Sequence, residues 1–188
     1  THSALAYLGH LAGHGTISDT VADTPFALLC DRLWHDEILP TLETPEGEDL
    51  PRYCRSLMAR YQNPAIRHRT WQIAMDGSQK LPQRVLGTIS DRLAAGMVPK
   101  GLCLVVAGWI RYVGGVDEAG APIDVKDPLA DDLKAATAGD DPVGAVLAMD
   151  TIFEPGLAAQ PAFVAAVRSA YDRLCRDGSR ATVAAFVD

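Results

Sequence analysis

The run GLCLVVAGWIRYVGG, residues 101–115, is apolar nearly all round. A helix without a polar face must be enclosed by other protein. The run therefore predicts a buried central helix and obliges the rest of the chain to build a shell around it. At 188 residues the chain fits one domain and can bury a substantial core. With 48% hydrophobic and 22% charged residues, it has the composition of a folded protein rather than a disordered one.

Helical signals dominate that shell. HSALAYLGHLAGHG sets Leu5, Leu8 and Leu11 at helical spacing and ends on Gly13 and Gly15. TPFALLCDRLWHDEILPTL puts Phe26, Leu29, Leu33 and Trp34 on one stripe, with Pro25 early and Pro40 near the end. TPEGED reads as a polar loop, and DLPRYCRSLMARYQ opens on Asp49 as a candidate N-cap. Tyr53, Leu57 and Tyr61 then recur every four residues. Asn63-Pro64 reads as a cap and first-turn proline, starting a helix from Ala65 that carries Arg69 and Gln72. Asp76-Gly77-Ser78 breaks it, and Ser78 caps the next run, through about Leu93. VDEAGAPIDVKDP holds a turn at Ala119-Gly120 and at most a small β-hairpin near 115–126. Three helices follow at roughly 128–138, 142–153 and 161–177; Gly178 ends the last, and RATVAAF closes the chain as a short helix. The fold class is all-α.

A net charge of −7 argues against a nucleic-acid surface, because phosphate binding wants a basic excess. Any anion site must be a local cationic cluster set against the global sign. Cys30, Cys54, Cys103 and Cys175 are widely spaced without a CxxC pair, and read as reduced thiols of a cytoplasmic protein. No apolar run reaches the roughly 18 residues of a membrane span. A start on Thr1-His2 reads as a cut through a longer protein.

His10 and His14 have the i,i+4 spacing of a metal pair, but the residues between them are Leu11, Ala12 and Gly13, without the glutamate of HExxH. Histidines favoured by a helix C-terminus are the simpler account, and no metal is expected. The stretch RHRTWQIAMDGSQKLPQR, 67–84, is the suspicious polar junction. On a helix from Ala65, Arg69 and Gln72 share a face, while Trp71 and Trp109 belong to the core. Lys80 falls in the first turn of the next helix, where a cation opposes the dipole, so a bound anion or a carboxylate should compensate. An Arg fork suits a planar carboxylate and lysine a movable point charge. Composition alone favours the plainer alternative, a solvated basic face with Arg67 and Arg84 exposed. No GxGxxG, P-loop or nucleophile elbow is present.

Three blocks carry a resemblance. NPAIRHRTWQIAMDGSQKLPQR, VAGWIRYVGGVDEAGAPIDVKDPL and HSALAYLGHLAG, long and in the right order along the chain, resemble the carboxy-terminal domain of the polyol-specific long-chain (mannitol) dehydrogenases, over essentially all of 1–188. The fructuronate reductase (mannonate oxidoreductase) branch is the most similar. The resemblance implies a multi-helical substrate domain of the 6-phosphogluconate dehydrogenase C-terminal-like fold, following an NAD-binding Rossmann domain that is not in this chain. It implies a Lys…Asn…His series whose histidine matches His2, the catalytic candidate, which would orient a substrate hydroxyl. The lysine base and the asparagine would fall ahead of Thr1. The family's second substrate lysine, in DGSxK, matches Lys80. Mannitol-type members place an arginine eight residues before it, and here that position is Gln72. Arg69, one turn earlier, is the expected partner of a sugar-acid carboxylate.

The expected activity of the parent is NAD-dependent interconversion of D-mannonate and D-fructuronate, with NAD bound mainly by the Rossmann domain, no metal, and the isolated chain inactive. The expected partners are a sugar acid or polyol and the Rossmann domain, with no membrane and no nucleic acid. A mannitol 2-dehydrogenase or arabinitol dehydrogenase is the alternative within the family; a non-catalytic helical interaction module is the alternative outside it.

Overall fold

A computed structural model describes residues 1–44 and 47–188. The middle of the expected TPEGED loop lies outside the described residues. In chain order the α-helices are α1 His2–Leu11, α2 Ile17–Ala22, α3 Thr24–Arg32, α4 Leu50–Tyr61, α5 Thr70–Ala74, α6 Gly77–Leu81, α7 Gly87–Ala94, α8 Lys100–Val113, α9 Ala130–Thr137, α10 Pro142–Leu147, α11 Pro155–Ala158, α12 Pro161–Asp177 and α13 Ser179–Val187. Among the described residues β-structure is limited to two isolated antiparallel bridges, Thr16 with Arg69 and Val116 with Pro122. The second is the expected hairpin in its smallest form, turned by Gly120 at φ +83°.

The central helix is α8. Every residue from Gly101 to Ile110 is buried, as are Tyr112 and Val113. Its most extensive partner is α12; α1, α9 and α10 close other sides. The approach of α1 depends on Gly108, where a Cβ would come within 2.5 Å of the Leu8 side chain. Phe26, Leu29, Leu33 and Trp34 form the expected buried stripe. Asp49 caps α4 by accepting from Arg52 N at 2.8 Å.

Two helices change pitch under proline control. After α3 the chain widens to a π-helical turn, Leu33–Ile38, then tightens to the 3-10 turn Leu39–Thr41. Pro40 has no N–H to give the carbonyl four residues back, that of Asp36. That carbonyl accepts from Arg92 Nη2 at 3.0 Å instead. Likewise α6 runs through the π-helical Pro82–Leu86 into α7, all in right-handed helical backbone, because Pro82 cannot complete an α-helical bond. The run expected through Leu93 ends at Ala94.

Several expectations need correction. Asn63 does cap, accepting from Ala65 N at 3.0 Å, but only the 3-10 turn Pro64–Ile66. Arg67 then enters the left-handed region at φ +50°, so α5 begins at Thr70 and Arg69 is not helical. His14 lies beyond α1, which stops at Leu11. The segment 142–153 is helical only to Leu147. Ser78 is not a cap; it lies inside α6, whose N-cap is Asp76. Trp109 is fully buried, but Trp71 is half-buried, its indole donating to the Asp124 carbonyl at 2.6 Å.

Candidate functional site

His2 opens α1, and its ring stacks on Tyr61 with centroids 5.1 Å apart and tilts against His68 at 5.5 Å. Its Nε2 is buried without a hydrogen-bond partner among the described residues. Desolvation, and then the nearby His68, lower its pKa to about 4. At neutral pH the imidazole is uncharged, with one ring nitrogen donating and the other accepting. That state can orient a hydroxyl in either sense without contributing charge.

The second part of the site is the corner between α5 and α6. Asp76 occupies the left-handed region at φ +54°, which a short polar side chain tolerates. Its N–H donates to the Lys126 carbonyl at 2.9 Å. Asp127 then holds the start of α6: its carboxylate accepts from Ser78 N at 2.8 Å, Ser78 Oγ at 2.6 Å and Leu129 N at 3.0 Å. A carboxylate at a helix N-terminus satisfies orphan donors and complements the dipole. Gly77 is required because a Cβ there would come within 2.3 Å of Trp109 Nε1 and 2.9 Å of Tyr7 Oη. Lys80 Nζ donates to the Met75 carbonyl at 2.5 Å and lies 3.9 Å from the Asp76 carboxylate. Compensation for the lysine in this first turn therefore comes from Asp76 and the Met75 carbonyl.

A cavity of about 390 Å³, within the ~300–1,000 Å³ range of small-molecule sites, opens beside His2, and the α5–α6 corner does not line it. His2, Trp34, Tyr61, Arg84 and Val85 line it. Both π-helical turns contribute walls, Leu33, Trp34 and Ile38 from one and Arg84 and Val85 from the other. Gly77 touches Tyr7 of α1, and Arg84 meets the cavity beside His2, so the helix bearing Lys80 runs along the first half of α1. Lys80 sits between these contacts, tied to its own corner rather than lining the cavity.

Arg69 goes elsewhere. His68 and Arg69 lie in extended chain, where successive side chains point to opposite sides. His68 faces His2, whereas Arg69 lines a separate depression with His10, His14 and Asp117. The expected grouping of Arg69 with His2 is thus not formed, and Gln72 is exposed on α5. His10 and His14 also diverge, to Thr70 Oγ1 and Asp23 Oδ2, both at 3.3 Å. Local sequence does not mark His68, Tyr61 or Asp127 as site residues, and it offers Arg84 only as an exposed cation. Of these only Arg84 carried a local signal, its i+4 spacing from Lys80.

The cavity suits a polyhydroxylated ligand, offering a neutral imidazole, the Tyr61 and Thr1 hydroxyls, one guanidinium and apolar walls. The sequence carries no GxGxxG turn of the kind that cradles a dinucleotide pyrophosphate. Among the described residues, no helix is long and apolar enough to cross a membrane.

Comparison with known proteins agrees with the resemblance drawn from the sequence. The family model for the mannitol dehydrogenase C-terminal domain matches residues 1–175. D-mannonate oxidoreductase of Escherichia coli is 48% identical over 99% of this chain and 39% of its own length. Mannitol 2-dehydrogenase of Phaeosphaeria nodorum is 33% identical over 99% of this chain and 32% of its own. Mannitol 2-dehydrogenase of Pseudomonas fluorescens, solved as a ternary complex with NAD and D-mannitol, superposes with a TM-score of 0.95 at 32% identity, covering 99% of this chain and 38% of that one. The chain thus spans about two fifths of the length of these relatives or less. Built around one buried helix and matched almost end to end, the chain belongs to the mannitol dehydrogenase family, as its C-terminal domain.

Proposed function

We propose that this chain is the substrate-binding half of an NAD-dependent oxidoreductase that interconverts D-mannonate and D-fructuronate. The observation that carries the reading is a neutral, half-buried His2 whose Nε2 has no partner, set in a sugar-sized cavity with a guanidinium on its wall. The higher identity to a D-mannonate oxidoreductase, 48% against 33% for a mannitol 2-dehydrogenase, supports a sugar acid over a neutral polyol. An NAD-binding Rossmann domain ahead of Thr1 would supply the cofactor, whose nicotinamide gives or takes the hydride.

The chain's own residues bind and orient. His2 hydrogen-bonds a substrate hydroxyl next to the reacting carbon, fixing which carbon faces the cofactor. Lys80 uses one ammonium N–H on the Met75 carbonyl and keeps the others for a substrate oxygen. Gln72, standing where mannitol-type members have an arginine, would offer its exposed amide to the substrate. The apolar walls exclude water from this hydrogen-bonding set, which strengthens it. The isolated chain is expected to be inactive.

The test is steady-state reduction by the parent protein, with NADH, of D-fructuronate, D-tagaturonate and D-fructose. The expected result is a kcat/KM for D-fructuronate that exceeds both others. Turnover of D-fructose alone would make it a mannitol-type dehydrogenase, and turnover of none would leave a non-catalytic module.

A further inference from the structure

We propose that Arg84 is the residue that anchors the substrate carboxylate and so selects a sugar acid over a neutral polyol, the role that sequence reading had given to Arg69. This rests on the sugar-acid reading of the His2 cavity and names the determinant within it. Three observations converge. Arg84 and His2 line the same cavity, whereas Arg69 lines another and Arg60 a small separate recess beside His68. Among the described lining residues, Arg84 has the only permanently charged side chain; its neighbours include Leu33, Trp34, Ile38 and Val85. Finally, among the described residues no carboxylate lies within 4.0 Å of the Arg84 guanidinium. In the same acidic chain Arg168 and Arg180 each hold an aspartate through two nitrogens.

The chemistry follows. The Arg84 side chain is exposed, so an anion can reach its guanidinium without displacing a protein partner. Its planar fork also matches the two oxygens of a carboxylate. His2 cannot share this task, because the imidazole is uncharged. Lys80 stands one turn back along the same helix with a partly used ammonium. The arrangement separates two jobs along one ligand: Arg84 holds the acid end, and His2 and Lys80 read hydroxyls. The π-helical turn at Pro82–Leu86 places Arg84 there, since insertion of a wide turn rotates the residues that follow relative to a regular α-helix.

The experiment uses the full-length parent and its variants Arg84→Gln, Arg84→Lys and Arg69→Ala, with melting curves to show that each is folded. Kinetics are read on D-fructuronate with NADH, and D-mannitol is titrated as a neutral competitor. Arg84→Gln is expected to raise KM for D-fructuronate ~10- to 100-fold, the range for losing a charge-assisted fork, with a far smaller change in kcat. Inhibition by D-mannitol should stay within about threefold, and Arg84→Lys should recover part of the loss. Arg69→Ala should not weaken the acid selectively. Equal weakening of D-fructuronate and D-mannitol, no weakening of either, or an acid-selective loss in Arg69→Ala overturns the assignment. A wild type that turns over no sugar acid overturns the functional reading and this assignment together, and that failure appears before any variant is made.

Discussion

The two π-helical turns wall the same cavity, yet they dispose of their charges in opposite ways. In Leu33–Ile38, Glu37 points inward and is buried, its carboxylate accepting from Gly101 N and Leu102 N, both at 2.7 Å. It caps the central helix α8 from a distance in sequence. In Pro82–Leu86, Arg84 points to the cavity with no carboxylate in reach among the described residues. One charge completes the scaffold, and the other is left for a ligand. Irregular helix is thus used twice: once to hold the core helix in place, once to aim a cation.

The largest effect should come from breaking the first half of this contrast. Glu37→Ala leaves two buried backbone donors unmatched at the start of α8, and denaturant unfolding should show a loss of about 3 kcal/mol. Arg84→Gln, exposed and unpaired, should shift stability by less than ~0.5 kcal/mol. Comparable losses from both would erase the distinction. Burial raises the Glu37 pKa above the ordinary 4.5, against the pull of the two backbone donors. A folded-state pKa above the unfolded one gives stability that is complete below the unfolded value and is lost as pH rises through the folded one. The advantage of the wild type over Glu37→Gln should therefore shrink as pH rises out of the acid range.

Asp127 sharpens the contrast, because it does for α6 what Glu37 does for α8, but half-exposed. Asp127→Ala frees Leu129 N and the buried Ser78 N and Oγ, but removing a half-exposed side chain opens a path for water to them. The expected loss is smaller, about 2 kcal/mol. Because the corner also positions Lys80, KM of the parent enzyme should rise as well. A stability loss with unchanged KM would separate the Asp127 scaffold from substrate binding.

These carboxylates mark where sequence reading stops. The central helix, the Phe26–Trp34 stripe, the Asp49 cap and the Gly178 break all come from contacts within a few residues, and each was legible. The bond of Asp127 to Ser78 spans 49 residues and that of Glu37 to Gly101 spans 64, and no local pattern announces either. The pitch changes at Pro40 and Pro82 were legible as interruptions, not as wide turns. Arg69 was misplaced because a helix was drawn through a segment that is extended, pinned by its bridge to Thr16. Arg84 is exposed, as the solvated basic face expects; what no local pattern carries is what lies opposite it, the start of α1. His2 is reached through resemblance alone, whereas Lys80 also stands out as a cation in the first turn of a helix.

A last test addresses the uncharged member of the cavity. The His2 pKa is depressed from 6.5 to about 4, first by desolvation and next by His68. A depressed folded-state pKa gives stability that is present above the unfolded value and lost as pH falls through the folded one. Unfolding of this chain followed from pH 7 down to 4 should show a decline that His2→Asn reduces, since asparagine has no proton to gain. The same displacement bears on catalysis in the parent. An imidazole that stays neutral down to about pH 4 adds no acid limb near 6.5 to kcat/KM. A limb near 6.5 that vanishes in His2→Asn would mean that His2 is charged in the working enzyme. Arg84 would then share the anion with a second cation, and the division between a hydroxyl-reading imidazole and a carboxylate-holding guanidinium would collapse.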